Sequence, residues 1–212
     1  MPGERSWVYL AASTSGSEDQ VFAIKSAELS RSPCLQREQE VLTTLCNPHI
    51  VSCLGSDVTA EPNDQVLFNL FMEYVPGGDL TEVVKQRGGL DEHAIRVYTR
   101  RVLNGGEEQG PTADIWALGC TVIEMATGCL PWHGIEDIHR IAFSDDMPEV
   151  PCNISDDARD FLGRCLSRDP RQRWSAEELL HHPLVECCKE PAIMDSKRNS
   201  PKSILDQGFW DS

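Results

Sequence analysis

The sequence predicts an α+β fold, incomplete, with a small β-rich front and a mainly helical back, because its hydrophobic period changes partway along the chain. Up to residue 75 the apolar runs are short and rich in β-branched and aromatic residues, as strands are. From Asp91 onward apolar residues recur at helical spacing. With 212 residues, 40% of them hydrophobic, the chain can bury the core of one domain or of two small lobes.

Strands are expected at 7–11, 21–25, 50–54 and 66–74, with Thr14-Ser15-Gly16-Ser17 as a hairpin-like turn between the first two. Between the second and third, residues 35–45 read as one helix with Leu35, Val41, Leu42 and Leu45 on a single face. Further on, Asp91 is a cap for a helix presenting Ile95, Tyr98 and Val102. Residues 113–126 are apolar on nearly every side, which suits a buried central helix, and Gly128 is its stop signal.

Ser155 precedes the stripe Ala158, Phe161, Leu162, Cys165 and Leu166. Ser175 and Glu178 form a capping box ahead of Leu179-Leu180, and Pro183 ends that helix. The remainder is aperiodic and reads as a flexible tail, with Leu205, Phe209 and Trp210 as a short docking element. The expected divisions are therefore 1–75, 76–190 and 191–212.

A formal charge of −15 argues against nucleic acid, whose phosphates would be repelled. No apolar run approaches the roughly 20 residues of a membrane span, and Met1-Pro2-Gly3-Glu4-Arg5 lacks a signal-peptide core, so a cytoplasmic or nuclear address is expected. Acidic pairs such as Asp145-Asp146 read as solvated surface, with docking of basic partner segments as the alternative. The 9 cysteines show no Cys-x-x-Cys spacing, so neither a disulfide framework nor a zinc site is indicated. Most of them, Cys120 and Cys165 included, are expected to be small buried apolar residues, while Cys187-Cys188 has no evident role.

Four segments carry chemistry. Val21-Phe22-Ala23-Ile24-Lys25 is a strand ending in lysine, and Phe71-Met72-Glu73-Tyr74-Val75-Pro76-Gly77-Gly78-Asp79-Leu80 is a strand running into a Gly-rich joint. Asp114-Ile115-Trp116-Ala117-Leu118-Gly119-Cys120 and Arg168-Asp169-Pro170-Arg171-Gln172-Arg173-Trp174 follow. In that order they resemble a eukaryotic Ser/Thr protein kinase, most closely the plant mitogen-activated protein kinase kinase kinase family. The resemblance covers nearly the whole chain, and it implies a β-rich N-lobe, a helical C-lobe, and ATP-dependent phosphorylation of a downstream kinase kinase in a signalling cascade.

By that resemblance Lys25 is the lysine for the α- and β-phosphates, and Glu38 is its helix partner, placed relative to Pro48-His49-Ile50-Val51 as the family places it. Met72 takes the gatekeeper position. Glu73 and Val75 offer backbone to the adenine edge, Asp79 faces the ribose hydroxyls, and Gly3 is the one glycine retained in the phosphate-covering loop. Met1 then falls at that loop's first glycine, which reads as a truncated product, and the backbone of residues 7–11 loses a strand neighbour.

Phosphoryl transfer needs a cation on the phosphates, metal ligands and a carboxylate to orient the acceptor hydroxyl. The last two are missing. No His-Arg-Asp or His-Cys-Asp loop, no Asp-Phe-Gly and no Ala-Pro-Glu occurs, and Asn104-Gly105 runs straight into Gly106-Glu107-Glu108-Gln109-Gly110-Pro111. An internal excision removes the catalytic aspartate and both magnesium ligands together, so no catalytic or metal-ligating residue is assigned. ATP is expected to bind weakly, where it binds at all, and without magnesium. Asp114 and Arg173 lose the groups they pair with in the family and are expected to be orphaned. The chain is thus expected to be inactive; a non-catalytic pseudokinase or decoy, and a mis-spliced or misassigned fragment, stand as the alternatives.

Overall fold

The computed structural model describes residues 6–13, 21–62, 64–105, 112–132, 144 and 146–186. Gly3, the turn at 14–17, the stretch 106–111, Cys187-Cys188 and the tail lie outside the described residues. The chain divides into two compact units, Met1–Pro76 and Gly77–Ser212.

The first unit is one antiparallel sheet of β1 (Ser6–Ala12), β2 (Val21–Glu28), β3 (Cys53–Ala60) and β4 (Val66–Glu73), in the order β1-β2-β4-β3. The third strand starts later than Ile50-Val51 suggests. Its register is set by β4, with Ala60 opposite Val66 and the Glu61 amide donating to the Gln65 carbonyl. The polar Gly55-Ser56-Asp57 is tolerated within it because β3 is a sheet edge, where side chains face water. β1 is the other edge, and Trp7, Val8, Tyr9 and Leu10 along it are all exposed.

Helix α1 (Pro33–Thr44) starts with proline at its first position, where the missing N–H is no loss. It packs on β3 and β4, and Leu35 closes a small core with Ala27, Phe68 and Leu70, joined by Leu42, Cys53 and Met72. Val41 is instead exposed, correcting its expected place on the buried face. Six residues beyond Leu35 a helix is still about 120° short of two full turns, whereas Leu42, one residue later, comes back into line.

One side-chain chain crosses the whole sheet. The Tyr9 hydroxyl donates to Ser26 Oγ (2.6 Å), Ser26 donates to Asn69 Oδ1 (2.5 Å), and Asn69 Nδ2 donates to Thr59 Oγ1 (2.9 Å). Each strand contributes one member. Ser26 and Asn69 are buried, so a one-residue slip of any pair would leave polar groups unsatisfied, and the network pins the register.

The second unit holds α2 (Leu80–Arg87), α3 (Glu92–Gly105), α4 (Thr112–Thr127), α5 (Asp156–Cys165), α6 (Ala176–Leu180) and α7 (Pro183–Glu186). α4 is central: Ile115, Leu118, Val122, Ile123 and Met125 are buried, and Gly119 sits where any side chain would strike α5. The helix stops at Gly128 (φ +75°), whose amide donates to the Glu124 carbonyl at 2.8 Å. On α5 the whole stripe Ala158, Phe161, Leu162, Cys165, with Leu166 just beyond, is buried.

Caps form as their residues suggest. Asp91 Oδ1 accepts from the Ala94 amide (2.8 Å), Ser155 Oγ from Ala158 (3.1 Å), and Ser175 with Glu178 makes the reciprocal box. Two expectations are corrected. α3 buries Ile95, Thr99 and Leu103, with Tyr98 beside them, and Val102 points outward. A continuous i, i+4, i+8 line meets a flat neighbour, and Val102 falls off it. Pro183 begins α7, because α6 has already ended at Leu180.

Candidate functional site

Strand alternation puts Lys25 and Ala27 on the face that α1 covers, and Ser26 on the other. On α1, Glu38 lies three residues past the buried Leu35, so the contact that seats Leu35 also turns Glu38 toward the strand. Lys25 Nζ consequently donates to both Glu38 oxygens, at 2.9 Å to Oε1 and 2.7 Å to Oε2. Both side chains are partly exposed, 26% and 38%, so the pair orients the ammonium more than it stabilises the sheet.

The joint residues have partners too. Met72 packs against the small core of the first unit. The Glu73 amide donates to the Ser52 carbonyl (3.0 Å), so that N–H is committed to the protein, and Val75 follows the strand half-buried. Asp79 Oδ1 accepts from the Glu82 amide (2.7 Å) as the N-cap of α2. Lys25 and Glu38 are brought together, Glu73 and Val75 lie in the same unit, and Asp79 belongs to the second. Gly3 lies outside the described residues.

Arg173 is not orphaned. Its Nε donates to the Ser167 carbonyl and its Nη1 to the Thr112 carbonyl, each at 2.7 Å, and its guanidinium lies 4.9 Å from the centre of the Trp116 ring. Arg168 approaches the same indole at 5.1 Å and donates to the Asp146 carbonyl. Burial, then the neighbouring Arg168, pulls the Arg173 pKa down. Asp114 stands exposed in the first turn of α4, where water solvates it and the helix N-terminus favours a negative charge. Neither residue is therefore a buried unpaired charge, which corrects the expectation of orphaned partners.

A second polar node ties helices together. Arg96 on α3 donates to Glu92 (3.0 Å through Nε) and to the Leu184 carbonyl (3.0 Å), while Glu92 Oε2 accepts from the Ser155 amide (3.2 Å). Burial raises the Glu92 pKa, and the bonds from Arg96 and Ser155 outweigh it, leaving the carboxyl below its ordinary value. Asp160 is also held low, first by the hydrogen bond from His182 (3.0 Å) and then by Arg164. The spacing of Glu92 and Arg96 was readable as a helical ion pair; their reach to Ser155 and Leu184 depends on tertiary packing.

Cys165 is fully buried, and burial, then the neighbouring Cys120, pushes its thiol up to about 12. It is an inert core residue. Cys34, Cys46, Cys129 and Cys152 are exposed, against the expectation that most cysteines are buried, because they sit at helix ends and in connections. Among the described residues no three His, Cys, Asp or Glu side chains converge as a cation site would require. No described helix is long and apolar enough to cross a membrane.

The protein kinase domain profile matches this sequence over residues 2–108 and again over 102–185. The chain belongs to the protein kinase family. Its antiparallel sheet and helical unit are an N-lobe and a C-lobe, incomplete at 212 residues. Among its relatives, mitogen-activated protein kinase kinase kinase 18 of Arabidopsis thaliana is 32% identical, covering 99% of this chain and 83% of that protein. Kinase kinase kinase 17 of the same plant is 32% identical over 99% of this chain and 75% of its own length. Mitogen-activated protein kinase kinase kinase 4 of Homo sapiens shares 46% over a shorter stretch, 40% of this kinase-family chain and 6% of its own.

Proposed function

We propose that this chain is a kinase-family protein that has kept a nucleotide-binding half-site and lost phosphoryl transfer. Its lineage is that of kinases phosphorylating a downstream kinase kinase with ATP and magnesium. The observation that carries the reading is that only residues 106–111 separate α3 from α4 in the sequence. The two profile matches part at 102–108. The alignment to kinase kinase kinase 18 spans 282 positions although this chain has only 212 residues, so 70 or more positions face no residue here. Both facts favour an internal excision between Asn104 and Thr112 that took out the catalytic loop, the magnesium loop and the activation segment.

What remains is Lys25, oriented by Glu38 for the α- and β-phosphates, and the joint, where the Glu73 carbonyl and Val75 backbone face an adenine edge. Asp79, in the second unit, is committed to capping α2. Gly3, which the family resemblance assigns to the phosphate loop, lies outside the described residues. No residue is assigned as the carboxylate that orients the acceptor hydroxyl, so ATP binds poorly and without help from magnesium. The partners are then other kinases of a signalling cascade in the cytoplasm or nucleus. The closed C-lobe core, with Phe161, Leu179 and Leu184 fully buried, favours a folded partner-binding module over a fragment with no stable fold.

Purified chain incubated with labelled ATP, magnesium and a kinase kinase substrate is expected to give no phosphate incorporation above a Lys25→Met control. Lys25-dependent incorporation overturns the reading. Transcript reads across codons 104–108 that restore a catalytic loop would show the sequence to be a misassigned form of an active enzyme.

A further inference from the structure

We infer that residues 204–211 dock back onto a groove of the C-lobe beside α5. The groove encloses about 520 Å³. Its floor is Leu162 and Leu166, both buried in the core beneath, and one wall is Met147, Pro148 and Val150. Met147 is 46% exposed, an apolar side chain left facing water at the groove's mouth. Arg159 stands on the rim; it donates to the Cys152 carbonyl at 3.5 Å and has no carboxylate partner among the described residues.

The sequence supplies an occupant of matching chemistry. Residues 204–211 read Ile-Leu-Asp-Gln-Gly-Phe-Trp-Asp: four apolar side chains, two of them aromatic, two carboxylates and no cation. The apolar residues suit the floor and wall, and Asp206 or Asp211 suits Arg159. Lys197, Arg198 and Lys202 all lie upstream of the segment, so its charge is opposite to that of Arg159.

Size and reach agree. The volume falls within the roughly 300–1,000 Å³ of small-ligand pockets, which admits Phe209 with Trp210 but not the face of a second protein. Residues 187–203 separate the end of α7 from the segment. At about 3.4 Å each they span up to about 58 Å, more than the width of a lobe whose radius of gyration is about 13 Å. Tethering sets an effective concentration near the millimolar range, so a contact too weak to hold a free peptide suffices here.

Hydrogen exchange on the full chain tests this. Phe209→Ala combined with Trp210→Ala is expected to speed exchange of peptides covering 147–150 and 159–167 by about threefold or more, with no change in 95–103 on α3. Arg159→Glu should produce the same loss, and Asp206→Lys with Asp211→Lys in that background should restore protection. Unchanged exchange at the groove overturns the inference. Protection that grows with protein concentration also overturns it, by assigning the segment to a second copy of the chain.

Discussion

Gly119→Ala tests whether α4 and α5 pack as tightly as the C-lobe requires, and the geometry sets its sign. A β-carbon built at Gly119 would sit 2.8 Å from Leu166 Cδ2 and 2.9 Å from Cys165 Cβ. The leucine methyl can rotate away, but Cys165 Cβ is fixed to the backbone of α5, so relief requires the two helices to separate. Overpacking of that kind costs about 1–3 kcal/mol. Alanine returns about 1 kcal/mol through its better helix propensity. The net expectation is a loss of about 0–2 kcal/mol, or roughly 0–8 °C in Tm for a chain of this size.

Gly163→Ala is the internal control, since it makes the same chemical change on α5 where an added β-carbon meets nothing within 4 Å. There only the propensity gain remains, about 1 kcal/mol of stabilisation. Urea unfolding of both variants, followed by far-UV circular dichroism, reads the two signs together. If Gly119→Ala stabilised the protein as much as Gly163→Ala does, the α4–α5 contact would not exist as described, and the case for a folded C-lobe would fail with it.

Acid unfolding should be steeper than ordinary carboxylates allow. Asp160 and Glu92 have folded pKa values below their unfolded ones, so their contribution is complete above about pH 4 and is lost as pH falls through the folded values; the urea midpoint should drop from pH 5 to 3 and Asp160→Asn should flatten that drop, whereas a midpoint rising on acidification contradicts it. Ser175→Ala removes the acceptor for the Glu178 amide and should cost about 1 kcal/mol, read as a lower Tm, and an unchanged Tm would show the box to be dispensable. Glu38→Gln should leave unfolding of the N-lobe within about 1 kcal/mol of the parent while weakening whatever ATP affinity calorimetry detects; equal ATP affinity in the two proteins would show that the pair does not position Lys25 for phosphate.

Local chemistry was legible in the sequence because it acts over a few residues. The caps at Asp91, Ser155 and Ser175, the stop at Gly128 and the stripe on α5 each depend on groups within a turn or two of one another. So did the family, since Lys25, the joint at Met72–Asp79 and the Asp114 and Arg173 segments are linear motifs. That no His-Arg-Asp, Asp-Phe-Gly or Ala-Pro-Glu occurs is likewise read from the sequence alone.

Contacts between distant segments were decided only by the tertiary structure. The position of β3 followed its ladder with β4 rather than its own apolar run, because backbone pairing outweighs intrinsic preference. Val41 and Val102 turned outward because the plane of a neighbour, which no local pattern encodes, selects the buried line of a helix. Arg173 takes the Thr112 and Ser167 carbonyls and the Trp116 face, and Thr112 and Trp116 lie far from it in sequence. Sequence determined which charge had lost its partner; the folded chain determined that a half-buried guanidinium, with five donors in a fixed fork, would find others within reach.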